Sequence, residues 1–409
     1  MDLVPIARLQ FATTTSLHFL FVLLTLGLAP LIALIQTRYT ISRRPVHKRM
    51  TRFWGHLYVI NYVLGIATGI VMEFQFGLNW TGLTAFAGDV FGAPLAIETL
   101  VAFFLESTFL GLWIFGWGKL NRWVHLALIW LVVLTAYLSA FWVMGANAFL
   151  QNPVGYRMDG DVLRLADFGA FLSNPSLWNA LAHVLAAGLL AGGIFMAGVS
   201  AYHFIRRTSE VEFFRRSMRL GLGVAAVASS LTIGFGFQQF TVLDKVQPAK
   251  LGGPEKDAVV QAAGEAKFGP GTYLPPDVGP FLGNMIMIGF LLSTAAWVAW
   301  LLCFRNWIVK LRVPLYLLMA LIPLPFVAAI FGWLFREMGR QPFLINGLLL
   351  TSDGVSSVSA DSVLASYIAF TIVLVGLVIT NWVLIARVAK RGPRLEMHVV
   401  KPEPIMATL

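Results

Sequence analysis

The chain has 409 residues, is 58% hydrophobic and carries charge at only 12% of its positions, against about 25% in an ordinary soluble domain. That composition argues for a membrane protein and against a soluble enzyme. The single cysteine, Cys303, lies in an apolar run, which excludes disulfides, thiolate metal sites and a C-x-x-C-H haem attachment. The formal net charge of +10 would suggest nucleic acid in a soluble protein, but in a membrane protein it is first tested against topology.

In chain order, nine stretches are long and apolar enough to span a ~30 Å hydrocarbon core, at about 20 residues each. They fall near 14–36, 55–77, 93–117, 123–149, 178–204, 219–243, 281–303, 314–335 and 364–386. The first is long enough to span and ends in no A-x-A site, so it is expected to remain as a helix rather than be cleaved. No internal repeat stands out. The predicted fold class is all-α: a polytopic membrane helical bundle of about nine transmembrane helices, with 1–409 forming a single domain.

Loop charge predicts the orientation. One set of alternate connections holds Arg38, Arg43, Arg44, Lys48, Arg49 and Arg52, then Lys119 and Arg122, then Arg206, Arg207, Arg215, Arg216 and Arg219, then Arg305, Lys310 and Arg312. The C-terminal tail adds Arg387, Lys390, Arg391, Arg394 and Lys401, bringing this side to 21 of the 30 basic residues. Basic loops stay in the cytoplasm, so the expected topology is multi-pass in the cell membrane with the N-terminus outside and the C-terminus inside. The basic charge then needs no nucleic acid. On the outer side, 244–280 is expected to be a long loop with little secondary structure, and a loop of that kind is usually functional or disordered. The other long outer loop, 150–177, reads as a plain connector with a short amphipathic piece.

Ionisable groups within spans are costly and usually functional. They are His18, Glu73, Glu98, Glu106, His125, His183 and His56, with Glu337 at a span end. Under the predicted topology His18, His183, Met287 and Glu337 all fall in the outer half, on the side of the 244–280 loop. Imidazole, thioether and carboxylate all ligate haem iron; a His–Met pair makes a six-coordinate low-spin haem, and a single protein ligand leaves a position for oxygen. Each residue also has a plain structural reading: an interhelical hydrogen bond for a histidine, packing for Met287 beside Met285, paired carboxylates for Glu98 and Glu106. His56 and His125, near the cytoplasmic ends of their spans, read as structural or interfacial.

Several motifs carry a more specific signal: A-R-L-Q-F-A (7–12), H-F-L-F-V-L-L-T-L-G-L (18–28), M-E-F-Q-F-G-L-N-W (72–80), P-L-A-I-E-T-L-V-A-F-F-L-E-S-T-F (94–109), A-N-A-F-L-Q-N-P-V-G (146–155), Q-P-A-K-L-G-G-P-E (247–255) and G-W-L-F-R-E-M-G-R-Q-P-F (332–343). From Arg8 to about Phe343 the chain resembles subunit I of the cytochrome bd quinol oxidases, in the branch with a short quinol loop. The resemblance implies oxidation of a membrane quinol, menaquinol or ubiquinol, and reduction of O2 to water. It also implies cytoplasmic proton uptake, and hence a proton motive force without a pumping step. The cofactors it implies are two b haems, low-spin and high-spin, and one haem d. The implied partner is a second helical membrane subunit, subunit II, and the resemblance leaves room for a small accessory subunit.

Matched motif by motif, His183 and Met287 resemble the axial pair of the low-spin haem. His18 and Glu337 resemble the ligands of the two high-spin haems, with the d-type ring assignable to neither. Arg8 and Arg340 resemble propionate partners, and Trp333 the aromatic residue among the haems. Glu98 and Glu106 resemble pocket and proton-delivery carboxylates, while Lys250 and Glu255 match the quinol-loop residues. Three positions depart from the family. Met285 stands where an arginine is usual, two residues before the methionine ligand, which predicts a lower potential for that haem. Phe343 replaces the tryptophan of G-R-Q-P-W. Gly252-Gly253-Pro254 replaces Ala-Ala-Ile, so the loop backbone is expected to differ. Two other classes stay open on residues alone: a b-type cytochrome without an oxygen-binding haem, and a proton-coupled transporter without haem.

Overall fold

The computed structural model describes residues 3–304 and 307–393. Arg305, Arg394 and Lys401, counted above with the cytoplasmic charge, lie outside the described residues. Among the described residues nine helices are long and apolar enough to cross a membrane. In chain order the elements are α1 (Leu3–Ser42), α2 (Pro45–Asn79), α3 (Thr81–Phe115), α4 (Arg122–Gln151), the hairpin β1 (Tyr156–Asp159) and β2 (Val162–Leu165), the short α5 (Phe168–Leu172), α6 (Pro175–Ile205), α7 (Val211–Val246), α8 (Pro254–Phe268), α9 (Gly279–Phe304), α10 (Arg312–Met338, interrupted by a turn at 321–323), the hairpin β3 (Phe343–Ile345) and β4 (Leu349–Leu350), and α11 (Ala360–Arg391). Only helices satisfy every backbone group within one segment in hydrocarbon. The helices overrun the predicted spans: α1 has 40 residues, about 60 Å at 1.5 Å per residue, so its ends pass beyond the apolar layer.

The bundle is organised on α1, which packs against α2, α4, α6 and α11, while α6 and α7 form the most extensive pair. Leu24, Leu28 and Ile32 of α1 repeat at helical spacing and join Trp54 and Tyr58 of α2, Phe195 of α6 and Phe213 of α7 in the main core. Small residues permit the tightest crossing. A Cβ on Gly27 would lie 2.0 Å from the carbonyl oxygen of Gly188, and one on Gly192 would lie 2.6 Å from the carbonyl carbon of Gly27. Any side chain there would force α1 and α6 apart, the close backbone approach that membrane helices gain from glycine.

The two ends of the bundle differ. At one end Arg49 pairs with Glu210 at 2.5 Å and Arg52 lies over the Trp117 ring at 4.9 Å, which joins the first, third and fifth connections. At the other end the chain is more structured than expected. The 150–177 connector contains the β1–β2 hairpin, turning at Gly160 with φ +61°, and buries Leu163 among Phe91, Phe149 and Phe171. The 244–280 loop contains the 15-residue helix α8. Its sequence is locally consistent: Pro254 at the first position, Glu255 and Asp257 in the first turn, Lys267 in the last and Gly269 beyond it at φ +85°. Periodicity missed α8 because its alanine-rich run has no strong apolar face. The Gly-Gly departure has a backbone consequence: Gly252 and Gly253 take φ +71° and +126°, conformations alanine seldom adopts. Phe343 is buried and stacks with Tyr273 at 6.1 Å, with Phe268 at 5.7 Å, so it docks the loop against the bundle.

Candidate functional site

At the loop-covered end α10 carries Trp333 and Glu337 four residues apart, on one helical face. They border a cavity of about 290 Å³ whose wall includes Arg8, Phe11, Trp80, Trp333, Glu337 and Arg340. Four residues singled out from motifs (Arg8, Trp333, Glu337 and Arg340) thus meet at one place. Glu337 Oε2 accepts from Arg340 Nη2 at 2.6 Å, and Oε1 accepts from Asn147 Nδ2 at 2.8 Å and Gln151 Nε2 at 3.1 Å. Burial lowers the Arg340 pKa from its ordinary value, opposed by Glu337. Four buried donors here have no protein partner among the described residues: the indole N–H groups of Trp80 and Trp333, and Nε and Nη1 of Arg340. Buried donors left unpaired cost free energy. An aromatic-walled space with spare guanidinium donors fits a flat ring bearing carboxylates, which is the chemistry of haem.

Among the described residues, two of the histidines keep one ring nitrogen without a protein partner. His183 Nδ1 lies 2.8 Å from the carbonyl oxygen of Thr232; a carbonyl only accepts, so Nδ1 carries the proton and Nε2 keeps its lone pair. His18 Nδ1 lies 2.7 Å from Thr68 Oγ1, which itself donates to the Gly65 carbonyl at 2.7 Å. The threonine's one hydrogen is committed there, so His18 Nδ1–H donates and Nε2 is again free. His125 contrasts: Nδ1 meets Gln36 Nε2 at 2.8 Å and Nε2 meets the Trp113 carbonyl at 2.8 Å, a histidine fully engaged in structure. Met287 sits on the outward face of α9 with 62% exposure, while neighbouring Ile288 is buried. The fold thus places His183 on α6 facing α7 and Met287 on a different wall. Among the described residues no group of three or more His, Cys, Asp or Glu forms a metal cluster.

Glu106 is buried, and its Oε1 accepts from Tyr58 Oη at 3.1 Å. Glu98 Oε1 accepts from Ser139 Oγ at 2.7 Å. Between the two glutamates α3 becomes a π-helix over Leu100–Glu106, a rare geometry that recurs at functional sites.

Lys250 and Glu255 are not side by side in character. Lys250 is buried, with Nζ donating to Gln151 Oε1 at 2.7 Å and to the Arg336 carbonyl at 2.8 Å. Burial pushes its ammonium well below the usual lysine range; Arg336 adds to that and Glu337 opposes it. Glu255 is exposed in the first turn of α8. A continuous chain, Lys250–Gln151–Glu337, therefore runs from the loop to the cavity. Asn147 and Gln151 had a visible signal, a polar pair four apart in A-N-A-F-L-Q, whereas Tyr58 and Ser139 read as ordinary span residues.

A multi-pass helical membrane protein with haem-competent histidines and a carboxylate-lined cavity is the class that fold and site define. The model of the cytochrome bd terminal oxidase subunit I family matches residues 6–268 and 256–393. The chain is 37% identical over 450 residues to cytochrome bd ubiquinol oxidase subunit 1 of Bacillus subtilis, covering 97% of this chain and 96% of that one. It is 43% identical over 256 residues to cytochrome bd-II ubiquinol oxidase subunit 1 of Escherichia coli, covering 62% of this chain and 50% of that one. Its fold matches the bd oxidase of Geobacillus thermodenitrificans with a TM-score of 0.86 at 24% identity, covering 96% and 99% of the two chains. The chain belongs to the cytochrome bd terminal oxidase subunit I family. It is a haem-bearing subunit of a quinol:oxygen oxidoreductase of aerobic respiration. The electron-carrier and transporter readings fall away.

Proposed function

We propose that this subunit oxidises quinol at its outer loop and reduces oxygen to water with protons drawn from the cytoplasm, so that the two half-reactions together build a proton motive force. The observation that carries this reading is the Lys250–Gln151–Glu337 chain, which joins the loop to a cavity ringed by unpartnered donors. The haems, two b-type and one d-type, supply electron transfer and oxygen binding when present. His183 and Met287 hold the low-spin haem, while His18 and Glu337 hold the two high-spin haems. Arg8 and Arg340 bind propionates and Trp333 packs among the rings. Glu98 and Glu106 hold and pass protons toward the oxygen site. The concentration of basic residues at one end supports a cell-membrane topology with the N-terminus outside and the C-terminus cytoplasmic. Subunit II is the expected membrane partner, with a small accessory subunit compatible with the exposed apolar helix faces. The substrate is a membrane quinol, menaquinol or ubiquinol.

Within the 244–280 loop, Glu255 is the proton acceptor for quinol. Lys250 spends two of its three donors on Gln151 and Arg336, so one N–H remains for a quinol oxygen. Cutting the loop within α8 with protease is expected to abolish quinol oxidation while oxygen reduction from an artificial donor that bypasses quinol persists. Parallel loss of both activities would make the loop purely structural and remove this assignment.

A further inference from the structure

The outer end of the bundle gathers more positive charge than its carboxylate balances. Glu337 is paired with Arg340 at 2.6 Å, and Arg336, one residue away, has no carboxylate within ion-pair distance among the described residues. Its Nε donates to Asn147 Oδ1 at 2.5 Å, and Nη2 reaches the Ser176 carbonyl at 3.5 Å. Both acceptors are neutral, and three of its five N–H donors have no protein partner among the described residues. A guanidinium held this way in a membrane span is expensive unless an anion completes it.

The position of Arg336 says which anion. Ser176 lies on α6 two turns outward from His183, so the contact to its carbonyl sets the Arg336 guanidinium against the helix that carries His183. On its own helix Arg336 stands one turn beyond Gly332, where a Cβ would lie 2.7 Å from Met285 Sδ. Met285 is the residue that replaces the arginine usual before the methionine ligand. The position on α9 that lacks the cation therefore faces the stretch of α10 that carries Arg336. We propose that Arg336 is the positioning residue for the low-spin haem: it binds a propionate beside His183 and supplies from α10 the positive charge that Met285 no longer supplies from α9. This rests on the assignment of His183 and Met287 to that haem, and it replaces the lower potential expected from Met285 alone with an ordinary one. The departure at 285 and the arginine at 336 are then one compensated exchange.

The test is a spectroelectrochemical titration of the low-spin haem in the purified oxidase complex. Arg336→Gln is expected to lower the equilibrium constant for its reduction about tenfold, which is ~59 mV for one electron. Arg336→Lys, which keeps the charge, should stay within about twofold, and Met285→Arg added to Arg336→Gln should restore the wild-type value. A potential unchanged in Arg336→Gln, or moved only at a high-spin haem, would overturn the proposal, as would a fall in Arg336→Lys equal to that in Arg336→Gln. Should Arg336→Gln be isolated without the low-spin haem, recovery of that haem in the Met285→Arg double variant supports the exchange and its failure to return overturns it. Met287→Leu is read alongside: if it keeps the low-spin spectrum, the ligand assignment has failed, whatever Arg336 does.

Discussion

Replacing Met287 with Leu is expected to convert the low-spin b signal to high-spin, or to remove it, and with it electron entry from quinol. Met and Leu are close in volume, and such swaps usually cost under about 1.5 kcal/mol even in a core. Met287 is on the outward face of α9 with 62% exposure, so the chain's own packing barely depends on it. What the substitution removes is a thioether, and a six-coordinate haem that loses one strong ligand changes spin state. His183, fixed by its Nδ1 bond to Thr232, stays in place, so any change is attributable to the methionine side. Low-temperature EPR and the reduced optical spectrum of the variant are the readouts, and a wild-type spectrum would rule out Met287 as a ligand.

Glu106→Gln is expected to assemble with its haems and to reduce oxygen about 10²-fold more slowly, the low end of what a positioned proton-transfer group contributes. Glutamine is isosteric and can still accept from Tyr58 Oη, the 3.1 Å bond that holds the carboxylate. It cannot release and regain a proton. Tyr58 itself stacks on Tyr62 at 5.9 Å, and Tyr62 Oη meets Ser107 Oγ at 3.1 Å, so further hydroxyls lie beside Glu106. Were Glu106 a purely structural hydrogen-bonding group, the variant would turn over at a near-normal rate. Stopped-flow oxygen reduction by the fully reduced variant separates the two, because it bypasses quinol binding.

The nine spans were legible because hydrocarbon demands long apolar helices, and that demand is written in composition. The cavity was legible through one compact motif, 332–343, which carries Trp333, Glu337 and Arg340 together; Arg8 reached it only by matching a second motif at the far end of the chain. What could not be read was whatever depends on tertiary partners. Thr68 and Thr232 fix the histidine tautomers, yet nothing marks either residue in an apolar run. The π-helix at Leu100–Glu106 has no compositional signature. Lys250 was marked only by the loop motif; its burial, with Gln151 and Arg336 around it, belongs to the folded chain alone. Arg336 lies within the 332–343 motif, but its partners Asn147 and Ser176 come from α4 and α6 and are set beside it only by the fold.

The account stands or falls on what occupies the loop-covered half of the bundle. The reduced optical spectrum of the purified complex, with haem extraction and carbon monoxide binding, tests it most directly. Three haems are expected: a low-spin b haem indifferent to carbon monoxide, a high-spin b haem, and a d-type haem that binds carbon monoxide and absorbs in its own red-shifted region. A spectrum with b bands alone and no ligand-binding haem would contradict the assignment of the cavity at Glu337 and of His18 to oxygen chemistry.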